Sequence, residues 1–163
     1  MKIARKLALA LVALLGTMAT ATAQLKPSGP ADPPLPRSPA EERKSDAQAF
    51  KEMAARLAAE KWLAVLDSGE YGKAWDQSAR KFRENVTRHQ WVESLPKTRG
   101  ALGALKSRRV EVASYKSSLP AMPEGDYVTV RFSTNFDKKD DAQEMVTLVF
   151  EDGIWRPLGY GIG

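Results

Sequence analysis

The sequence contains no cysteine and only one histidine among its 163 residues. Disulfides, thiolate catalysis and thiolate metal sites are therefore excluded, so the hydrophobic core must hold the fold unaided. Any histidine-dependent proton transfer would have to use His89. Acidic side chains could still bind a hard cation, but the most acidic loop, residues 137–141, also contains two lysines. This composition favours a solvated loop, and we expect no metal and no other cofactor.

The chain also has little excess of positive charge outside its first six residues. The formal net charge is +5, but Lys2, Arg5 and Lys6 lie in the first six residues. Without these three, 22 of the 25 basic residues remain against 20 acidic ones. The remaining basic residues alternate with acidic ones and form no stripe, so the sequence gives no indication of nucleic-acid binding.

Only one long apolar run is present, at residues 7–15, and it is about half the ~20 residues that a membrane-spanning helix needs. The basic residues precede it, and Ala21-Thr22-Ala23 follows it with small side chains. This pattern is typical of a signal peptide, and we predict cleavage after Ala23. No cysteine follows that could carry a lipid. We therefore expect a periplasmic or secreted protein with no stable membrane insertion after cleavage.

Proline is concentrated in residues 24–39, which we interpret as a disordered tail ahead of a single domain at 40–163. Six prolines occupy this segment: Pro27, Pro30, Pro33, Pro34, Pro36 and Pro39. Proline fixes φ and lacks a backbone donor, so the segment favours extended polyproline-like chain. A ligand for a proline-binding groove is the alternative interpretation.

Apolar residues at spacings of three and four predict helices in the first half of the domain. The first stripe consists of Phe50, Met53, Ala54, Leu57, Ala58, Trp62, Val65 and Leu66, and the helix should end at Gly69. A second helix is predicted over residues 71–82. Thr87 and Gln90 form a capping-box pattern that begins a third, with Trp91, Val92 and Leu95 on its buried side and Pro96 weakening it.

After Gly103 the apolar period changes from three and four to two, which predicts strands. Four segments show this pattern: residues 105–118, 127–134, 144–150 and 154–162, with Asp152-Gly153 as a tight turn before the last. Three helices followed by four strands predict an α+β fold in which the helices cover one face of an antiparallel meander. Such an arrangement commonly leaves a conical cavity between the layers.

Several ordered motifs resemble the family known as domain of unknown function 4019. They include Asp67-x-Gly69-x-Tyr71, Thr87-x-x-Gln90-Trp91, Arg99-x-x-Leu102-Gly103, Phe132-x-Thr134-x-Phe136 and Gly159-Tyr160. The resemblance covers about residues 59–162. It implies a small exported domain related to the nuclear-transport-factor-like or cystatin-like α+β roll, and it implies no assigned activity. Pro157 departs from the family's strand formers and suggests an edge strand.

A cavity under the helices would be lined by aromatic and charged side chains from both halves. We predict these binding residues: Arg99, Arg109, Arg131, Tyr127, Phe132, Glu144 and Trp91. The apolar stripes around the four tryptophans favour packing in the core, with lining of the cavity by some of them as the alternative: Trp62, Trp75, Trp91 and Trp155. An arginine buried beside Glu144 would be either a structural ion pair or the polar end of a ligand pocket.

His89 is the sole catalytic candidate, with Asp76 and Glu144 as the other titratable groups that a reaction could use. The first turn of a helix usually faces water, which argues against catalysis by His89. The sequence favours a non-catalytic module that binds a small ligand or a partner protein in the cell envelope. The alternatives are a small isomerase, dehydratase or hydrolase, and a homodimeric structural protein.

Overall fold

The computed structural model describes residues 38–163. The predicted signal peptide with its cleavage site, and most of the proline-rich tail, lie outside the described residues. Four helices come first: α1 (Pro39–Asp67), α2 (Tyr71–Asp76), α3 (Arg80–Asn85) and α4 (Arg88–Leu102). Four strands follow: β1 (Leu105–Lys116), β2 (Tyr127–Phe136), β3 (Ala142–Glu151) and β4 (Ile154–Ile162). The α+β class is confirmed, and the change from helix to strand occurs at Gly103.

Helix α1 begins within the segment assigned to the tail. Ser38 is its N-cap and forms a capping box, in which the amide of Glu41 donates to Ser38 Oγ at 3.3 Å and the amide of Ser38 donates to Glu41 Oε2 at 2.8 Å. Pro39 therefore belongs to the helix, because the first helical position needs no backbone donor. Gly69, with φ of 78°, follows the C-terminal end of α1 as the sequence predicts.

The second predicted helix is wrong as a single element, since α2 and α3 replace it. The break falls at Ser78 and Ala79. The Ser78 hydroxyl donates to the carbonyl of Ala74 at 2.9 Å, and the amide of Ala79 donates to the carbonyl of Pro157 on β4 at 2.8 Å. A helical bond of Ala79 is thus replaced by a bond to the sheet edge.

Helix α4 differs from its prediction in length and in its buried face. The capping box of Thr87 and Gln90 is present, but the helix continues past Pro96 to Leu102. Val92 is exposed, whereas Trp91, Leu95 and Arg99 are buried. The extra turn after the proline is the part of α4 that brings Arg99 into the interior.

The strands form one antiparallel sheet in the order β1-β2-β3-β4, so β1 and β4 are its edges. The position of Pro157 in an edge strand is as predicted. Strand β1 has register shifts at residues 105–107 and 110–112, and β4 pairs irregularly with β3 near Leu148. The shift in β1 separates Val110, which packs on the core, from Val112, which lies beside Arg131 and Met145 on the outer face.

The core lies between the helices and the inner face of the sheet. Its main members are Ala55, Ala59, Trp62, Leu63, Leu66, Phe82, Trp91, Val128, Val130, Phe132, Val146 and Leu148. The rings of Trp62, Trp91 and Tyr160 lie 5.6–6.3 Å apart and occupy the space where a conical cavity was expected. At this point the interior is packed side chain against side chain.

The buried face of α1 differs from the predicted stripe. Phe50, Met53 and Leu57 are exposed, while the small side chains of Ala55 and Ala59 face the sheet. Alanines at this contact let the helix axis approach the sheet closely. Because the alanine side of α1 faces the sheet, the larger apolar residues of the stripe face solvent. Within residues 38–163, no helix combines the length and apolar character needed to cross a membrane.

Candidate functional site

A group of buried charged side chains joins the helices to the sheet, and we call it the charge cluster. Its members are Asp67 at the end of α1, Arg99 on α4, Arg108 on β1, Thr134 on β2, Glu144 on β3 and Tyr160 on β4. Six of the eight elements thus contribute one hydrogen-bonding side chain each, and the contribution of α1 is its last residue. Glu144 is fully buried.

Glu144 accepts four hydrogen bonds in this cluster. Its Oε1 accepts from Arg99 Nη1 at 3.0 Å and from the Tyr160 hydroxyl at 2.7 Å. Its Oε2 accepts from Arg108 Nε at 2.6 Å and from Thr134 Oγ1 at 2.7 Å. Both carboxylate oxygens are therefore satisfied, which a buried charge requires if it is not to destabilise the fold.

The cluster has two arginines, and Asp67 supplies the second negative charge beside Glu144. It accepts from Arg108 Nη1 at 2.7 Å and from Arg108 Nη2 at 3.0 Å, and it also accepts from Arg99. Two guanidinium groups thus share two carboxylates, and the cluster has no net charge. A closed, neutral arrangement of this kind stabilises an interior without leaving a free charge to act on a substrate.

The surroundings of Glu144 shift its pKa in opposite directions. Burial alone would raise the pKa of Glu144, but the hydrogen bonds from Arg108, Thr134 and Tyr160 outweigh burial and lower it below 4.5. Burial and the nearby Glu144 charge raise the pKa of Tyr160, so its hydroxyl stays protonated as a donor. Burial would lower the pKa of Arg108, but the bonds to Asp67 and Glu144 raise it. Glu144 and Arg108 are therefore both ionised at neutral pH.

One side of the cluster lies at a surface depression. Asp67 and Arg99 contribute to a pocket of about 340 Å³ together with Leu66, Tyr71, Gly100, Gly103, Ala104 and Leu105. Asp67 is the more accessible carboxylate, with its side chain 17% exposed, whereas Glu144 is enclosed. The depression gives water access to the edge of the cluster but leaves its centre shielded.

The structure brings together two of the predicted binding residues, Arg99 and Glu144, as an ion pair. Arg109 points outward and lies 3.9 Å from Glu111, and Arg131 lies exposed on the outer face of the sheet. The other three are enclosed: Phe132 and Trp91 belong to the core, and the Tyr127 hydroxyl donates to the carbonyl of Pro123 at 2.8 Å. The predicted set is thus dispersed over the core and both faces of the sheet.

Sequence reasoning missed four members of the charge cluster as site residues: Asp67, Arg108, Thr134 and Tyr160. Asp67, Thr134 and Tyr160 each belong to a motif that carries the family resemblance, and this is the signal that could have pointed to them. For Arg108 and Arg109 the choice depends on strand alternation, and the bulge in β1 obscures which neighbour faces inward.

Of the three titratable groups that a reaction could use, Glu144 lies in the cluster, whereas His89 and Asp76 lie apart from it. His89 has its side chain 82% exposed, and its Nδ1 is 3.9 Å from Glu93 Oε1. Asp76 is exposed and lies 3.4 Å from Arg88. Within the described part of the chain, no three His, Asp or Glu side chains approach closely enough to hold a metal ion.

A second feature lies at the other end of the sheet, and we call it the aromatic groove. It has a volume of about 340 Å³ and is lined by Ala47, Phe50, Lys51, Asp126, Phe150 and Trp155. The rings of Phe150 and Trp155 pack 5.4 Å apart at an angle of 58°, and Phe50 on α1 closes the opposite wall. Phe50 is 65% exposed and Phe150 is 45% exposed.

A polar group borders the aromatic groove on one side. Lys51 Nζ contacts Asp126 Oδ1 at 2.6 Å, and the Tyr115 hydroxyl donates to the same oxygen at 2.6 Å. The bonds from Lys51 and Tyr115 lower the pKa of Asp126, and the bond to Asp126 raises the pKa of Lys51. These ionised groups connect α1 to the loop before β2 and fix the position of the groove wall.

Helices packed on one face of an antiparallel meander, with a neutral charge cluster between the layers, define this chain as a small α+β domain. A family model described as "Protein of unknown function (DUF4019)" matches residues 58–160, and the chain belongs to that family. The matched region contains every member of the charge cluster, whereas Phe50 of the aromatic groove precedes it. No curated protein matches the chain.

Proposed function

We propose that this protein is a non-catalytic binding module of the cell envelope, and that it binds an apolar group in the aromatic groove. That group would belong either to a small ligand or to a side chain of a partner protein. The observation that carries the proposal is the groove itself, an open concave surface. Its walls are the exposed rings of Phe50 and Phe150 and the partly buried ring of Trp155.

Exposed aromatic rings around a concavity favour binding on energetic grounds. Covering apolar surface contributes about 25 cal/mol per Å², and aromatic side chains supply large areas with few rotamers to fix. Aromatic residues in pockets are also the usual anchors of protein interfaces. A volume of about 340 Å³ lies at the lower end of the range for small-molecule pockets.

The groove has two charged residues in its lining, and they are paired with each other. Lys51 and Asp126 line it together with apolar side chains, and the amide of Phe150 donates to the carbonyl of Asp126 at 2.9 Å. A ligand with an apolar part and one polar end would find both kinds of partner, which supports an amphipathic ligand.

The charge cluster supports the enzyme alternative less well. Each carboxylate oxygen of Asp67 and Glu144 already accepts a hydrogen bond from an arginine, so neither is free to take a substrate proton. General acid–base chemistry needs a titratable group within reach of the substrate and with a pKa near the working pH. The pKa of Glu144 is lowered below 4.5, so it lies further from a neutral working pH than that of an ordinary glutamate.

The location in the periplasm or outside the cell is part of the proposal and rests on residues 1–23. Cleavage after Ala23 would leave Gln24 as the first residue of the mature protein. Intact-mass measurement of the exported protein tests it: a mass beginning at Gln24 supports export, and a mass that includes residues 1–23 contradicts cleavage.

The groove is tested with 1-anilinonaphthalene-8-sulfonate, a fluorescent probe with an apolar ring system and one charge. We expect saturable binding, and Phe150→Ala should weaken it about tenfold because one aromatic wall is lost. Met145→Ala is the matched control, since Met145 is equally exposed at 45% but lies on the outer face of the sheet. Equal affinities for the two variants would contradict the proposal.

Competition against the bound probe separates the two sources of the apolar group. Displacement by free indole at low concentration would favour a small ligand. Displacement only by a peptide with a central tryptophan would favour a partner protein. Circular dichroism of each variant ensures that the probe reports on the folded protein and not on a partly unfolded one.

A further inference from the structure

Helix α1 presents an apolar stripe to solvent on the side opposite the core. Its buried residues are Ala55, Ala59, Trp62, Leu63 and Leu66. With 100° per residue, Phe50, Met53 and Leu57 fall on the opposite side, and these three are 65%, 47% and 44% exposed. Among the described residues, nothing covers this stripe.

The first half of α1 has little contact with the rest of the domain. Its first buried residue is Ala55, so the 16 residues from 39 to 54 extend over about 24 Å without contributing a buried side chain. Lys51 and Glu52 make its polar contacts with the sheet, through Asp126 and the amide of Tyr115. A helix of this length with a free apolar side is stable in water only with support from packing.

One charged residue directly follows the stripe at each end, and the two signs are opposite. A further cation, Arg43, lies on the same side of the helix, about one turn before Asp46. Asp46 lies one turn before Phe50, and Lys61 lies one turn after Leu57. Both are exposed and both fall on the same side of the helix as the stripe. We call the set of Asp46, Phe50, Met53, Leu57 and Lys61 the α1 seam.

The α1 seam is complementary to itself when two copies run antiparallel. With a two-fold axis between Met53 and Ala54, Phe50 of one copy lies opposite Leu57 of the second copy. The same symmetry places Asp46 opposite the second copy's Lys61, and Lys61 opposite the second copy's Asp46. A parallel pairing would instead place Asp46 against Asp46, which is repulsive.

We propose that two copies of this protein associate through an antiparallel pairing of their α1 seams. The contact is isologous, so each apolar and each charged pair occurs twice. It covers three large apolar side chains per copy that the fold leaves in water. Phe50 belongs both to the seam and to the wall of the aromatic groove. The inference nevertheless does not rest on the proposed function, because the other seam residues do not line the groove and Phe150 and Trp155 are on the sheet.

Charge reversal tests the pairing and its direction in the mature protein by sedimentation equilibrium. Asp46→Lys and Lys61→Asp each put like charges together twice, and each should weaken the dimer about tenfold. The double variant Asp46→Lys with Lys61→Asp exchanges the two charges and should restore the original affinity. A double variant no tighter than the single ones would overturn the antiparallel pairing.

Crosslinking gives a second test that needs no change of charge. The chain has no cysteine, so Met53→Cys introduces a single thiol next to the two-fold axis. Mild oxidation should then yield a covalent dimer. Ala64→Cys is the control, because this exposed position lies three turns from the axis and faces residue 43 of the second copy. Equal crosslinking of both variants, or a wild-type protein that remains a monomer at all concentrations, would overturn the proposal.

The two proposals fail separately. Phe150→Ala should alter probe binding and leave the dimer unchanged, whereas the charge-reversal variants should alter the dimer. A monomeric protein that still binds the probe would therefore contradict the pairing of the α1 seams alone.

Discussion

Arg108 is the member of the charge cluster whose role depends most on the shape of its side chain. It donates from Nε to Glu144 and from both terminal nitrogens to Asp67, so a single planar group joins two carboxylates from α1 and β3. A lysine ammonium has the same charge but is a point donor and cannot reproduce this fork. The neighbouring Arg109 is exposed and has a side chain of the same kind.

Arg108→Lys should therefore destabilise the fold by about 2 kcal/mol, because at least one buried carboxylate oxygen loses its donor. Arg109→Lys, one residue away, should change the free energy of unfolding by less than about 0.5 kcal/mol. Urea unfolding of the two variants measures the difference. Equal effects would mean that the cluster does not depend on the arginine geometry.

At the scale of single residues, the sequence predicted Arg99 and Glu144 as members of a site but not the side chains that bond to them. Both were recognisable as charged groups that could be buried together. Arg109 was predicted to line the interior, and this is wrong: Arg108 does so, because the bulges in β1 change which residues face inward. A bulge is set by pairing with β2, and strand alternation alone cannot reveal it.

At the scale of elements, the two long helices have the same kind of N-terminal cap in different settings. Thr87 caps α4, whose first turn leads directly to the buried Trp91. Ser38 caps α1, whose first buried residue is 17 positions further on. The capping bonds are similar, but only α4 has its cap next to the core.

Thr87→Ala should consequently lower the free energy of unfolding by about 1 kcal/mol, the usual effect of losing an N-cap hydroxyl. Ser38→Ala should lower it by much less, because fraying of the first turns of α1 exposes no core. Urea unfolding gives the global effect, and hydrogen exchange at residues 41–45 detects the local fraying. A global loss from Ser38→Ala as large as that from Thr87→Ala would contradict this description of α1.

Some features of the helices and strands could be predicted from local sequence signals alone. The capping box at Thr87, the helix end at Gly69 and the change of period at Gly103 are local, and each was predicted at its observed position. The break between α2 and α3 depends on a bond from Ala79 to Pro157, 78 residues later in the chain. A sequence pattern over one helix carries no information about such a bond.

At the scale of the whole molecule, the charge cluster makes the fold sensitive to acid. The folded-state pKa of Glu144 lies below its ordinary value of 4.5. A carboxylate with a lowered pKa contributes stability that is fully present above the unfolded value and is lost as the pH falls through the folded value. The contribution of Glu144 should therefore be constant above about pH 5.5 and decrease below pH 4.5.

Urea unfolding at pH 7, 4.5 and 3 tests this dependence. Wild-type stability should fall over the acidic interval, and Glu144→Gln should show a smaller fall because it has no proton to gain at that position. Glu93→Gln is the control, since Glu93 is exposed on α4 and should leave the wild-type slope unchanged. A steeper acid dependence in Glu144→Gln would contradict the assignment.

The central claim concerns the whole molecule: we propose that the aromatic groove holds an apolar group. Native mass spectrometry of the wild type and of Phe150→Ala, each purified from the cells that express it, tests this claim most directly. The account predicts an added mass on the wild type, from a small molecule or a partner protein, that is absent or much reduced on Phe150→Ala. An added mass of equal abundance on both proteins, or none on either, would contradict it.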